Sequence, residues 1–597
     1  MQRNNVVPAW AGALAGLVAG AVALGVAQLV AGLLNPAAFP VVAVGNVVVD
    51  NTPAWLKEFA ISTFGSNDKT VLIAGVLVVL ALVAAAIGVL ALRRLRYGLV
   101  GLGVFGVVGI AAVVTRPGAG ALDVVPTLVG VGVGAWALTW LLARAVGESY
   151  GDAGAASYDP SASDASLDAS SDASAWDPAA SGPTAAGTSV SASPTPAPAT
   201  AAATGASGGL PSGEGPSSEA PKASEAFEAE RPAVMRAGAE LYTFDRRRLL
   251  GGVAGGVVAA GVATLVGRGL AGSQEADSAR VAIALPKPTV PVKPLPQGVD
   301  FGIKGLSPFV TKNQDFYRVD TALIVPRVDP QQWTLRIHGM VDRSIELTYA
   351  DLLKRPLTEE YVTLTCVSNE VGGEYIGNAR WLGARMADLL REAGLQPGAD
   401  MLLSTSDDGF TAGTPVDVVM DGRDALFAIA MNGQVLPVEH GFPVRQVVPG
   451  LYGYVSATKW VVDLKVTRFD QDEAYWTPRG WSAKGPIKTE SRIDVPKAGA
   501  SLTAGRTAIA GVAWAQHTGI DAVEVRVDRG EWRQAKLAQV PGPDTWRQWS
   551  LEWDATPGQH TIEVRATDAA GHTQTEQQAP PAPDGASGWH SIQVKVA

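Results

Sequence analysis

Cysteine is almost absent: Cys366 is the only one in 597 residues. A single thiol excludes an internal disulfide, a cysteine-rich zinc site and an iron–sulfur cluster held by this chain alone, and no CxxCH segment exists for haem attachment. Histidine is nearly as scarce. All six, His338, His440, His517, His560, His572 and His590, lie in the second half, so paired histidines in the first half cannot ligate a b-type haem. No flavin fingerprint is present either. Charged residues make up only 17% of the chain. From Gly147 to Phe244 there are 13 acidic and 3 basic residues, a net −10 that equals the net charge of the whole chain. The remainder balances to zero, which leaves no basic surface for nucleic acid.

What is abundant is apolar length. Residues 10–34, 70–92, 97–114 and 124–142 are each apolar enough to span a bilayer, and a Gly-rich fifth stretch covers 249–266. Thr52, Pro53 and the spacing of Trp55, Leu56, Phe59, Ala60 and Phe64 predict a short amphipathic helix in the interface. Arg3, Arg93, Arg94, Arg96, Arg144 and Arg246 to Arg248 fall on one side if the N-terminus is cytoplasmic, with Lys57, Lys69 and Arg116 on the other. Five spans then place everything after about residue 270 outside the cytoplasm, in contact with lipid only through the anchor.

The chain divides into a four-span membrane domain (1–146), a disordered acidic Ala/Ser/Pro linker (147–244), a fifth span (245–272), an α+β domain (290–487) and an all-β module (491–597). Asp245-Arg246-Arg247-Arg248-Leu249-Leu250 before a weakly hydrophobic run looks like a twin-arginine export signal set inside the chain; a positive-inside anchor explains the same arginines. Gly252 and Gly256, with Gly251 and Gly255, form small-residue pairs suited to close helix packing. In the α+β domain, 333–340 alternates as a strand, 348–354 begins a capped helix, and 382–393 reads as an amphipathic helix ended by Gly394.

Two segments carry the chemistry. Cys366 sits in TLTCVSNEVGG, and His440 to Arg445 read HGFPVR, continuing to VVPGLYG and TKW. A soft thiolate suits a soft, redox-active metal, and arginine offers a rigid two-pronged donor to phosphate, with histidine as a further donor nearby. Together the segments resemble the sulfite oxidase family of molybdenum-cofactor enzymes. The resemblance implies a molybdenum–molybdopterin cofactor, with Cys366 as the metal's protein ligand and His440 and Arg445 at the phosphate end of the pterin. It further implies that the FYRVD segment, Phe316, Tyr317, Arg318 and Asp320, borders the site, with Arg318 facing an anionic substrate. Asp407 (or its neighbour Asp408) and the run Ala457, Thr458, Lys459 fall where the family contacts the pterin. Where the family has a Tyr beside the metal, three residues before the Asn-Gly turn, this chain has Ile429, which puts sulfite itself in question; Tyr375, Tyr452 or Tyr454 are the alternative hydroxyls.

From Ser491 onward short alternating strands, such as Val523, Val525 and Val527, suggest an Ig-like sandwich resembling the family's dimerisation domain, which admits a homodimer. Of its six tryptophans, most are expected in core or interface rather than in sugar binding. The reading is a multi-pass bacterial membrane protein with an extracytoplasmic oxidoreductase domain. It acts on a small oxyanion or sulfur compound by two-electron oxygen-atom transfer and exchanges electrons with a separate cytochrome, copper protein or quinone-linked partner. A sulfoxide-type reductase of the same fold, a cofactor-free scaffold and a transporter with a regulatory outer domain are the rivals; spans nearly devoid of charge weigh against the last.

Overall fold

The computed structural model describes residues 7–53, 56, 68–116, 119–145, 245–270 and 273–597. The expected interfacial helix at 52–64 and the acidic linker fall almost wholly outside these residues.

Among the described residues, five helices are long and apolar enough to cross a membrane. They belong to α1 (Ala9–Leu34), α3 (Asp68–Arg93), α4 (Leu95–Val114), α5 (Val125–Ala145) and α6 (Arg246–Leu270), with the short α2 (Pro40–Asn51) after α1 unforeseen. Glycine sets their spacing. A Cβ on Gly16 of α1 would fall on the Ala84 carbonyl oxygen and 2.8 Å from the Gly88 Cα of α3. Gly32 meets the Gly267 backbone of α6, and Gly130 of α5 meets Ala23. In lipid, where apolar side chains gain nothing by leaving their solvent, such backbone approach supplies the association energy. Gly252 and Gly256 face neighbours, Leu141 and Val18, while Gly251 and Gly255 face none. Asp123, 5% exposed, closes one end of the bundle by accepting from Arg116 (2.7 Å) and from the Asn35 amide (3.1 Å). Asp245 caps α6, its Oδ1 accepting the Arg248 N–H at 3.0 Å.

The α+β region has ten strands: β1 (Thr334–Gly339), β2 (Ile345–Thr348), β3 (Leu357–Thr365), β4 (Ile376–Arg385), β5 (Met401–Ser406), β6 (Thr411–Pro415), β7 (Leu426–Met431), β8 (Gln434–Val435), β9 (Arg445–Val447) and β10 (Val461–Thr467). One sheet has the order β2-β1-β10-β5-β6, with β1 and β10 parallel; the other runs β3-β4-β7-β8, with β9 added on β7. β7 is buried at every position, because one face enters the main core with Phe427 and Ile429 while Leu426 and Ala428 pack with Phe316 and Trp381 on the other. The helix expected over 382–393 covers only Met386–Ala393. Residues 382–385 instead pair with β3 and β7, so ladder hydrogen bonds override the helical spacing of their apolar positions. Thr348 does cap the helix Tyr349–Leu353 through a reciprocal capping box with Asp351.

The C-terminal module has nine strands: β11 (Glu490–Val495), β12 (Ser501–Leu502), β13 (Gly505–Trp514), β14 (Ile520–Val527), β15 (Arg533–Gln534), β16 (Lys536–Leu537), β17 (Arg547–Ala555), β18 (Gly558–Asp568) and β19 (His590–Val596). They form two sheets, β11-β13-β17-β16 and β12-β19-β18-β14-β15, around one apolar core. Trp514, Trp546, Trp549 and Trp553 are buried, whereas Trp532 and Trp589 make an edge-to-face pair at 5.0 Å beneath Arg526 and Arg565.

Gly16→Val forces α1 and α3 apart, and we expect it to lower bundle stability by more than about 2 kcal/mol, while Gly75→Val, with nothing nearby, leaves it unchanged; thermal melting in detergent reads both. A second expectation concerns Glu490, 3% exposed, whose Oε1 has no hydrogen-bond partner among the described residues. Lys488 is spent on Asp584 (2.9 Å) and the Gly585 carbonyl (2.6 Å). Burial pushes the Glu490 carboxyl up to about 8, from an ordinary 4.5, so the folded protein holds a proton that the unfolded chain releases. Its stabilising contribution is complete below pH 4.5 and is lost as pH rises through 8. Glu490→Gln should flatten that decline and exceed wild type by on the order of 3 kcal/mol at high pH, read from melting midpoints across the pH range.

Candidate active site

Cys366 is the residue immediately after β3 and is 8% exposed. The chain turns there because the Cys366 N–H donates to the Tyr375 carbonyl at 2.9 Å, while the Tyr375 N–H donates to Asn369 Oδ1 at 2.8 Å. Burial pushes the thiol up; the Val367 and Ser368 amides and the Ser368 hydroxyl pull the other way. Asn369, 2% exposed, keeps Nδ2 without a partner among the described residues.

Against this turn lies the FYRVD segment. The Tyr317 ring stacks on Phe316 at 5.3 Å and tilts over Tyr375 at 6.5 Å. Burial raises the Tyr317 hydroxyl far above its ordinary range, a charge on Cys366 raises it further, and Arg445 lowers it, which links the three groups electrostatically. Phe316 is a wall rather than a polar contact: it meets Trp381 edge-on at 5.8 Å and His440 at 5.6 Å. Asp320, its side chain 1% exposed, pairs with both Arg318 and Lys459, so it positions two cations. Arg318 keeps 44% of its side chain exposed, at the rim.

The HGFPVR loop turns at Gly441, where φ is 109° and a Cβ would lie 2.9 Å from the Arg445 Cβ and 3.0 Å from that of Lys459. Only glycine allows that approach. Arg445, 5% exposed, lies over the Trp381 ring at 4.9 Å and donates to the carbonyls of His440 (3.2 Å) and Ala457 (3.4 Å). Among the described residues no carboxylate lies within ion-pair distance of it, and burial lowers its pKa to about 10. A buried guanidinium with carbonyl partners alone is an incomplete arrangement, and an anion completes it.

Several expectations change here. His440 does not serve as a phosphate donor through Nε2: that atom lies 2.8 Å from the Asn313 carbonyl, which only accepts, and burial lowers the imidazole's pKa toward the neutral form. The ring therefore fixes the loop. The Thr458 hydroxyl is shared with Ser404 at 2.6 Å inside the protein, and Ala457 offers its carbonyl to Arg445. Asp407 is exposed at the β5–β6 turn, its N–H donating to the Trp460 carbonyl at 2.9 Å, with Asp408 beside it accepting from the Thr321 hydroxyl. Ile429 is fully buried in the main core, on the face of β7 opposite Phe316, so it packs. Tyr317 and Tyr452 lie within electrostatic range of Cys366, and the Tyr375 backbone bonds its amide. Sequence reasoning missed Asn313, Asn369 and Trp381; only Asn369, three residues past Cys366, stood close enough to be found.

The donor set fits a molybdenum–pterin group: one buried thiol for a soft metal, and a buried, uncompensated guanidinium for a phosphate. Comparison with known proteins points the same way. Residues 322–476 match the oxidoreductase molybdopterin binding domain. The chain is 30% identical over 340 residues to mouse mitochondrial sulfite oxidase, covering 48% of this chain and 62% of that one. It therefore spans about three fifths of that relative's length. Over 157 residues it is 31% identical to the uncharacterized oxidoreductase YuiH of Bacillus subtilis, covering 76% of it. A sulfane dehydrogenase structure, SoxCD from Paracoccus pantotrophus, aligns with 26% identity over 49% of this chain at a TM-score of 0.43. The chain belongs to the sulfite-oxidase-like family of molybdopterin-dependent oxidoreductases.

Proposed function

We propose that this protein is a membrane-anchored, extracytoplasmic oxidoreductase that transfers an oxygen atom to or from a small sulfur-containing oxyanion, two electrons passing in the opposite direction. The observation that carries the proposal is a buried thiol, the chain's only one, and a buried guanidinium without a counter-ion among the described residues, Arg445, joined by the ring series Tyr375, Tyr317, Phe316 and Trp381. The fifth span as a twin-arginine export segment, the Ig-like character and dimerising role of the C-terminal sheets, and the bacterial envelope as location belong to the same reading. So does a separate cytochrome, copper protein or quinone-linked electron partner. Support for the anchoring comes from the five apolar helices.

When bound, the molybdenum–pterin group supplies the two-electron redox and oxygen-transfer chemistry. The chain's part is to hold and orient. Cys366 would give its thiolate to the metal, and Arg445, backed by the Trp381 ring, would meet the anionic end of the pterin. Arg318, held at the rim by Asp320 and half in solvent, is placed to orient an oxyanion substrate and to offset charge that grows on its oxygen. Tyr317, kept protonated by burial and within electrostatic range of Cys366, would hold a hydroxyl proton at the site.

Cys366→Ser should abolish turnover of sulfur oxyanions and remove the thiolate absorption of the loaded protein, while the melting midpoint stays within a few degrees, because serine fills nearly the same space. Full turnover in that variant would refute the assignment. Arg318→Ala should leave metal and pterin content unchanged and raise KM for an anionic substrate by on the order of tenfold, with the loss shrinking as salt increases. An unchanged KM would place Arg318 outside substrate contact.

A further inference from the structure

β3 delivers Cys366, yet it is a terminal strand of its sheet. Its outer edge pairs with Thr289 and Val290 over Leu357 to Glu359 and is taken up by the C-terminal module from Thr363 onward. The Thr363 N–H donates to the Asp544 carbonyl (2.9 Å), the Trp546 N–H donates to the Thr363 hydroxyl (2.8 Å), and the Gln516 amide donates to the Thr363 carbonyl (3.2 Å) and to Thr365 Oγ1 (3.0 Å). The last of these contacts is one residue before the thiol.

The turn beyond Cys366 is gripped as well. Arg492 of β11 donates through Nη1 to the Gly373 carbonyl at 2.7 Å and through Nη2 to Ser307 Oγ at 2.9 Å, while its Nε pairs with Asp494 at 2.8 Å. Asp494 accepts in turn from the Ser307 N–H at 3.0 Å. The His590 ring of β19 lies so close to Gly372, where φ is 80°, that a Cβ there would overlap it. Its Nδ1 accepts the Ile493 N–H at 2.9 Å. Arg492 and Asp494 are 8% and 2% exposed, so these are bonds formed out of water. Gly372 and Gly373 lead directly to Tyr375, whose carbonyl holds the Cys366 amide.

We infer that the C-terminal module is a clamp on the metal-ligand turn, with Arg492 and His590 as positioning residues for the Cys366 sulfur. They do not touch the reacting atoms. They fix the backbone on which the thiol is mounted, from a module that is separated in sequence and contributes no ligand. The metal role of Cys366 is the reading given above, but the clamp itself is a statement about backbone order that needs no cofactor.

Because Cys366 is the only thiol, its alkylation reports on this turn alone. The full chain in detergent, stripped of cofactor, is treated with N-ethylmaleimide. Arg492→Lys keeps a cation against Asp494 but cannot span both Gly373 and Ser307, and His590→Ala frees Gly372 while leaving the Arg492–Asp494 pair intact. Both should label on the order of tenfold faster than wild type with the melting transition retained. Arg506→Ala, which removes an exposed ion pair of the same module, serves as the control and should label as wild type does. In cofactor-loaded protein the same two variants should shift the metal's electronic spectrum and lower kcat more than they change KM. Labelling no faster than the control overturns the clamp, as does a rise that appears only when the melting transition is lost. If labelling rises but loaded protein shows no metal spectrum at all, the clamp stands and the metal reading fails.

Discussion

One uncompensated charge organises the catalytic domain. Arg445 has left water, rests on the Trp381 ring and, among the described residues, has only carbonyl oxygens for hydrogen-bond partners. Taking a cation out of water costs several kcal/mol that carbonyl bonds offset only in part. The surrounding residues make the position tolerable: Gly441 lets the loop close over it, His440 locks the loop to Asn313, and the Ala457 carbonyl turns inward. A sequence built for stability alone has no reason to keep this arrangement, and an anionic group removes its cost.

The thiol is placed by a different device, the end of a strand. β3 leaves its sheet at Thr365, so Cys366 stands where ladder hydrogen bonding stops and a turn begins. Such a position is precise only if the strand cannot fray. Here the strand's free edge is paired to Asp544, Trp546 and Gln516, and the turn after it is tied to Arg492. Unpaired edges are liabilities in any sheet; this one is covered in part by the module that also holds the turn after Cys366.

The sequence made legible what depends on local spacing. The five apolar stretches, the capping box at Thr348, the alternation of β14 and β18, and the Cys366 and HGFPVR segments could all be read directly. It did not reveal what depends on distant pairing. The segment 382–385 has helical spacing but becomes strand because β3 and β7 offer it partners. Ile429 sits at a position suggestive of the site, yet the two-residue period of β7 turns it into the core. Phe316, Asp320 and Thr458 lie in the right segments but spend their side chains on neighbours, and Arg492 and His590 are more than a hundred residues from the thiol they help to fix. Type and spacing identify a site's segments; which atoms remain free for chemistry is decided only by the hydrogen bonds of the folded chain.

Charge distribution draws these strands together. The chain as a whole is acidic, at net −10, but in the FYRVD and HGFPVR segments Arg318 and Lys459 share the buried carboxylate Asp320, Arg445 has none among the described residues, and His440 tends to the neutral form. Of these cations only Arg445 is deeply buried, beside the Trp381 ring, where weak screening extends its reach. Arg445 is deepest and without a counter-ion, which suits a permanently held anion. Arg318 is shallow and already paired, which suits one that arrives, reacts and leaves. On the proposed reading, depth and pairing separate a held anion from a substrate anion.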